Sequence, residues 1–304
     1  MQSINGDHVL TDIKNIGILA HPSRPDTHPV AERIAETLTR KNIQHWVHTQ
    51  WDEASVLNDV AQADMVIAIG GDGAMLKAAR VCAKHNVPVL GINMGWLGFL
   101  TEVNRPKDWD RALTRVLAGD YWVEERMMLN AAVIEGKKQE VANFTALNDM
   151  VVSGNVFGRM IQISAYIDKH WATTYNSDGL IISTPTGSTA YALATGGPIL
   201  PPELRNILMV PVAPHLSMER PIVLSEGAVV DIQPTTENRN QIILTVDGNV
   251  SAELQDDQHI CIKAAEHVSR FVRLRDRNYF YRSLLDRMEP RVNRHGPRRK
   301  TFSG

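Results

Sequence analysis

The sequence predicts an α/β domain followed by a β-rich domain, and three observations lead there. Up to about residue 120, short apolar runs alternate with segments of helical period, the pattern of a parallel sheet with crossover helices. Beyond about residue 125 the helical period nearly disappears and short alternating strands take over. A Gly70-Gly71-Asp72-Gly73 string stands where an apolar run meets a helical segment. The 304 residues exceed the usual compact domain, so two domains sharing a cleft are expected.

Taken in order, residues 15–20 (NIGILA) read as the first strand. Residues 28–41 follow as a helix, because Val30, Ile34 and Leu38 recur at four-residue spacing and give the apolar stripe a helix lays on a sheet. Residues 43–48 make a second strand. Residues 65–70 (MVIAIG) make a third, nearly all apolar as a strand buried on both faces should be. A helix over 74–84, a strand over 88–93 (PVLGIN) and a helix over 109–117 complete the pattern. These elements make residues 1–124 a Rossmann-like α/β domain, with about 276–290 expected to complete it.

In the second half, residues 129–135, 146–152 and 160–168 open a series of strands that runs to residue 274. Residues 160–167 (MIQISAYI) alternate apolar and polar, and the pairs Glu135-Gly136, Glu226-Gly227 and Asp247-Gly248 suit hairpins or tight loops. Residues 125–275 are therefore expected to form a β-rich, sandwich-like domain. From 287 to 300, six basic residues stand against one acidic with Pro and Gly between them, which predicts a disordered tail over 291–304.

Composition narrows the partners. Thirty-two Lys and Arg against thirty-four Asp and Glu leave a formal charge of −2, so nucleic acid and anionic membrane meet no broad basic field. Any anionic ligand must be held locally. Cys82 and Cys261 sit in apolar-patterned stretches and form neither a disulfide framework nor a metal-ligand pair, which fits a reducing compartment. The first residues lack a basic region followed by an apolar core, and no apolar run reaches the ~18 residues of a bilayer span. The expectation is a cytoplasmic protein. His21, His45 and His215 lack metal-ligand spacing, so no protein-built metal site is expected.

Three stretches carry chemistry. In an open parallel sheet, ligands bind at the carboxyl ends of strands, and glycines at 70, 71 and 73 let backbone approach a phosphate. Asp72 among them repels such a ligand, and makes sense where a hydroxyl must lose a proton. The competing reading is a helix cap with strain-relieving glycines. Next, Asn148-Asp149 interrupts an apolar strand pattern, and an amide beside a carboxylate suits ribose hydroxyls and an adenine amino group. The competing reading is a strand end or bulge satisfied by neighbouring backbone, which these residues taken alone favour. The longest stretch is residues 177–191 (SDGLIISTPTGSTAY), a buried strand feeding a turn with hydroxyls at 183, 184, 186, 188 and 189. Such a turn can donate hydrogen bonds to a polyanion, although a hydrophilic capping loop accounts for part of it.

In this order and at these separations, the stretches resemble the NAD kinases from about residue 60 to 285. Gly91-Ile92-Asn93 and Leu97-Gly98-Phe99-Leu100 match the same family pattern. Diacylglycerol and sphingoid lipid kinases and phosphofructokinases share a similar GGDG-type loop but lack the long segment. The resemblance implies ATP and NAD as substrates, Mg²⁺ or another divalent cation with the ATP, and a homo-oligomer, dimer or tetramer. Asp72 corresponds to the family's proposed base, Gly73 to a contact with the same nucleotide, and Phe99 to the aromatic near adenine. Asn148 and Asp149 match an Asn-Glu pair, while Asp178, Thr186, Thr189, Ala190, Tyr191 and Ala194 match the NAD site. Arg159, Asn176, Ala213 and Asn249 correspond by position.

The sequence also departs from the family. Ala74 stands where many bacterial members carry Asn or Thr, so phosphate contact there must rest on backbone. Asp149 is one methylene shorter than the usual Glu, Asn249 is shorter than the Gln of some relatives, and Asn176 replaces an Arg found in some members. Lys77, one turn beyond Asp72, is a candidate phosphate contact and equally a solvated helix-face lysine. The sequence leaves two alternatives. A diacylglycerol-type lipid kinase needs a basic amphipathic segment, and none is found. A dinucleotide-binding regulator that lost catalysis is kept open by Ala74 and Asp149.

Overall fold

The computed structural model describes residues 13–51, 53–95, 98–136, 139–156, 159–235, 241–255, 257–281 and 284. The basic tail expected over 291–304 lies outside these residues, as do Leu97 and residues 282, 283 and 285–290. Residues through Leu274 form one compact unit and those from Arg275 onward another. Within the latter, the Arg275 guanidinium lies 5.3 Å from the Tyr279 ring centroid.

The first unit begins with β1 (Asn15–Ala20), α1 (His28–Arg40), β2 (Gln44–His48), α2 (Glu53–Val60), β3 (Met65–Gly70), α3 (Asp72–Ala83), β4 (Val89–Asn93), α4 (Trp109–Leu117) and β5 (Trp122–Arg126). Strands β1 to β4 pair in parallel, and helices cover both faces of their sheet. The alternation within β3 explains its apolar composition. Met65, Ile67 and Ile69 pack under α1 and α4, while Val66 and Ala68 pack under α2 and α3. Helix α2 carries a short sequence signal: among its described side chains the buried hydrophobic ones are Val56 and Val60.

The β-rich part contains β6 (Leu129–Glu135), β7 (Gln139–Ala146), β8 (Asp149–Gly154), β9 (Ile161–Ile167), β10 (His170–Ser177), β11 (Gly179–Ser183), α5 (Tyr191–Ala194), β12 (Asn206–Val212), β13 (Ile222–Ser225), β14 (Val230–Pro234), β15 (Ile242–Val246), β16 (Asn249–Leu254) and β17 (Gln258–Ala264). They form two antiparallel sheets, ordered β10-β9-β14-β17-β6-β7 and β13-β12-β11-β8-β15-β16. Their inner faces share one core, in which Ile161, Ile163 and Ala165 of β9 meet Leu180 and Ile182 of β11. The other face of the second sheet is covered as well: Val151, Ile181, Leu208 and Val210 pack with Ala192 of α5. That double burial is why β11 reads as a continuous apolar run.

The strands differ from the sequence expectation at two places. Residues 146–152 are not one strand, because β7 ends at Ala146 in one sheet and β8 starts at Asp149 in the other. And β18 (Ser269–Arg273), expected within the β-rich segment, inserts between β4 and β5 of the first sheet, as β5 itself extends past residue 124. A buried ionic chain holds it there. Arg273 Nε donates to Glu124 (2.7 Å), its Nη1 reaches Glu102 (3.4 Å), and Arg126 Nε donates to the same Glu124 oxygen (3.0 Å).

Candidate active site

The turn from β3 into α3 is shaped by its glycines. A Cβ on Gly70 would stand 2.6 Å from that of Ala74, so strand and helix can meet this closely only at glycine. Gly71 is the helix N-cap, Gly73 is exposed, and a Cβ on either would enter open space. Asp72 is the first helical residue, yet its carboxylate does not cap the helix. It accepts the N–H of Phe99 on Oδ2 (2.8 Å) and that of Leu100 on Oδ1 (3.0 Å). Two donors on two oxygens fix its plane while leaving each oxygen a further lone pair.

Asn148 and Asp149 owe their position to a break between sheets. Since the chain is changing sheet here, its peptide groups need partners outside a regular ladder. Thr184 Oγ1 donates to the Leu147 carbonyl (2.6 Å), and the Thr184 N–H and Ser183 hydroxyl both donate to the Asn148 carbonyl (2.9 and 3.1 Å). On the other side the Asp247 carboxylate accepts the N–H groups of Leu147 (3.1 Å), Asn148 (2.8 Å) and Asp149 (3.3 Å). The hydroxyls of the 183–189 turn are thus largely spent on the protein. Ser188 donates to Pro185 and accepts from Leu200, and Thr189 donates to the Thr186 carbonyl (3.2 Å). The expectation that these side chains serve a polyanion is corrected accordingly for Ser183, Thr184 and Ser188.

A cavity of about 520 Å³ lies against these groups. Of the residues singled out in the sequence, Asn148, Asp149, Arg159, Asp178, Ala190 and Tyr191 line it. Leu76 of α3, Thr245, Asp247 and Gly248 join them. Asp72 does not line the cavity itself but sits one helical turn before Leu76, which does. Phe99 follows Gly98 in the segment that meets the Asp72 carboxylate. Thr186 is buried and its hydroxyl accepts from Arg126 Nη1 (3.3 Å). Asn176 accepts a side-chain bond from Gln162 (3.0 Å), and its carbonyl accepts the N–H of His215 (2.7 Å). Ala213 follows β12 with φ 45°, Asn249 donates to the Asp247 carbonyl (3.2 Å), and Ala194 ends α5 in solvent. Lys77 is exposed, with its ammonium 5.8 Å from the Trp51 ring centroid.

The electrostatics are uneven. Burial pushes the Asp149 carboxyl up to about 7, and the neighbouring Asp247 carboxylate adds to the effect. Asp247 is the principal cavity-lining residue that the sequence did not disclose. Its pairing with Gly248 announced a turn, and nothing local announced that its side chain would face Arg80 on α3 at 2.9 Å.

An α/β sheet ending in this turn, followed by a two-sheet sandwich with a cavity in which Asn148, Asp149 and Asp178 stand among Leu76, Val151 and Val212, defines the class as a two-domain α/β-plus-β protein. The family models for the ATP-NAD kinase N-terminal domain and the ATP-NAD kinase C-terminal domain match residues 25–121 and 147–274. The chain belongs to the ATP-NAD kinase family. It is 36% identical over 283 residues to an NAD kinase of Heliobacterium modesticaldum, covering 90% of this chain and 98% of that one. It is 38% identical over 275 residues to an NAD kinase of Geotalea daltonii, covering 88% and 96%. In fold it is similar to yeast NADH kinase complexed with NADH, with a TM-score of 0.81, 21% identity and coverage of 92% and 89%. An NAD kinase from Archaeoglobus fulgidus in complex with ATP gives a TM-score of 0.69 at 24% identity, covering 90% and 97%.

Proposed function

We propose that the chain transfers the γ-phosphoryl group of ATP to the 2′-hydroxyl of the adenosine ribose of NAD, giving NADP and ADP. The observation that carries this reading is helix α3, which begins at Asp72 and one turn later presents Leu76 to the cavity holding Asn148, Asp149, Asp178 and Tyr191. In this reading NAD occupies that cavity. Asn148 and Asp149 meet the ribose, while Asp178, Thr186, Thr189, Ala190, Tyr191, Ala194, Arg159, Asn176, Ala213 and Asn249 form the rest of the nucleotide's surroundings. Asp72 takes the proton of the 2′-hydroxyl as its oxygen attacks phosphorus and the bond to the β-γ bridging oxygen breaks. Gly73, Phe99 and Lys77 flank the reacting nucleotides.

The donor set near the turn suits Mg²⁺ carried in on ATP. Among the described residues no three His, Cys, Asp or Glu side chains gather as a protein-built cation cage. Mg²⁺ commonly binds through substrate phosphates, one or two carboxylates and several waters, and Asp72 is a carboxylate at this turn that could contribute. When bound it would neutralise phosphate charge; orientation of the acceptor is left to the chain's own residues.

We also read the enzyme as a cytoplasmic homo-oligomer, dimer or tetramer, that binds neither nucleic acid nor membrane. Exposed Trp171, Leu216 and Val250 offer apolar surface to a second copy, and the near-neutral charge offers no broad basic face. The test of function is NADP formation by the purified protein with NAD, ATP and Mg²⁺, read by an NADP-specific dehydrogenase. Steady turnover supports the kinase; NAD binding without turnover would favour a regulator.

A further inference from the structure

We propose that Arg80 and Asp247 form a positioning pair that fixes the acceptor-binding Asn148-Asp149 peptides relative to the helix carrying Asp72. This inference rests on the reading of the cavity as the NAD site. Its first support is the density of bonds on one carboxylate. The Asp247 side chain is wholly buried, and its Oδ1 accepts the N–H groups of Asn148 and Asp149. Its Oδ2 accepts that of Leu147 and a 2.9 Å contact from Arg80 Nη1. The Asp247 N–H returns a bond to the Asp149 carbonyl (3.0 Å). Three successive amides of the acceptor segment therefore hang on one side chain.

The second support is how that side chain is aimed. Asp247 and Gly248 are the two residues between β15 and β16, with φ of 46° and 80°, the geometry of a tight hairpin that turns the aspartate back over β8. An aspartate tolerates such a backbone better than most residues, because its short polar side chain bonds locally.

The third support is the origin of the cation. Arg80 lies on α3, and Asp72, Leu76 and Arg80 follow at four-residue spacing on one helical face. At about 1.5 Å rise per residue, the base and the clasp stand roughly 12 Å apart along a single rigid element. One end of α3 thus presents the proton acceptor, its middle lines the cavity, and its far end grips the segment expected to hold the ribose. Arg80 also supplies a positive charge to the buried Asp247 carboxylate, which bears on the neighbouring Asp149. The backbone hydrogen bonds alone do not provide that charge.

The test is steady-state kinetics of Arg80→Ala, Arg80→Lys, Asp247→Asn and the Arg80→Ala/Asp247→Asn double variant, normalised to folded protein by circular dichroism. Arg80→Ala and Asp247→Asn are expected to raise the KM for NAD roughly tenfold and leave the KM for ATP within about twofold. Arg80→Lys is expected to recover part of the NAD effect, since the charge is kept and the fork is lost. The double variant is expected to show little beyond either single change. A purely structural role predicts a smaller folded fraction with both KM values unchanged, and that result would overturn the proposal. Should the alanine variant not fold, Arg80→Lys decides alone: a KM for NAD within about twofold of wild type, with no selectivity over ATP, overturns it. Wild-type protein without turnover would refute the kinase reading instead; NAD dissociation constants of the same variants then judge the clasp separately.

Discussion

Gly98 and Asp72 are matched by shape: a Cβ on Gly98 would stand 2.6 Å from the Asp72 Cγ, so the carboxylate can reach the N–H groups of Phe99 and Leu100 only past a glycine. This contact orients the proposed base in the absence of substrate. It also ties the strand-to-helix turn after β3 to the loop after β4.

Replacing this glycine is a more selective probe than deleting the base. Gly98→Ala is expected to displace the Asp72 carboxylate and lower kcat about 10²-fold, the order of loss expected from a misplaced catalytic group. The KM for NAD should stay within about twofold, because the cavity wall is untouched. Coupled NADP assays across NAD concentrations separate the two quantities.

Asp149 should make both binding and stability pH-dependent. Its carboxyl, ordinarily at 3.8, stands at about 7 because it is buried and faces Asp247. A raised carboxyl contributes stability below its unfolded value, and that contribution is lost as pH rises from about 4 through about 7. The gap corresponds to a ceiling of about 4 kcal/mol. A ribose hydroxyl donates to the ionised form, so the KM for NAD should fall between about pH 6 and 8 in wild type. In Asp149→Asn it should be flat, and the variant's melting temperature should lose less on going from about pH 5 to 8.

Glu124 should behave in the opposite sense. Burial alone would raise its carboxyl, but Arg126 and Arg273 outweigh burial and hold it at about 2, against an ordinary 4.5. Its stabilisation is present above about pH 4.5 and is lost as pH falls toward 2, with a magnitude of about 3 kcal/mol. Glu124→Gln leaves two buried guanidinium groups facing a neutral amide, at a cost of about 3–5 kcal/mol. Thermal melts of the variant should start lower at neutral pH and show a shallower acid limb than wild type.

What was legible in the sequence was whatever local pattern dictates. The apolar stripe at Val30, Ile34 and Leu38 is buried as α1 requires, and the alternation of 160–167 is the inner and outer face of β9. The pair Asp247-Gly248 forms its two-residue hairpin because both residues accept positive φ. What stayed hidden depends on partners far away in the chain. Arg80 and Asp247 are 167 positions apart, and nothing in either neighbourhood encodes the pairing. The same holds for Arg273 and Glu124, 149 positions apart, whose buried contact draws β18 out of the β-rich region and into the first sheet. The hydroxyls of the 183–189 turn were recognisable as a group. Their use was not, because it depends on the break at Leu147-Asn148 that only the packing of two sheets creates.

Asp72 stands in this reading as the base of an ATP-dependent phosphorylation of NAD. This role is tested most directly by NADP formation from NAD, ATP and Mg²⁺ with wild type and Asp72→Asn side by side, each with its NAD affinity measured. Wild type is expected to turn over steadily and the variant to lose about 10²–10⁴-fold, with NAD affinity retained. Near-normal turnover in Asp72→Asn would contradict it.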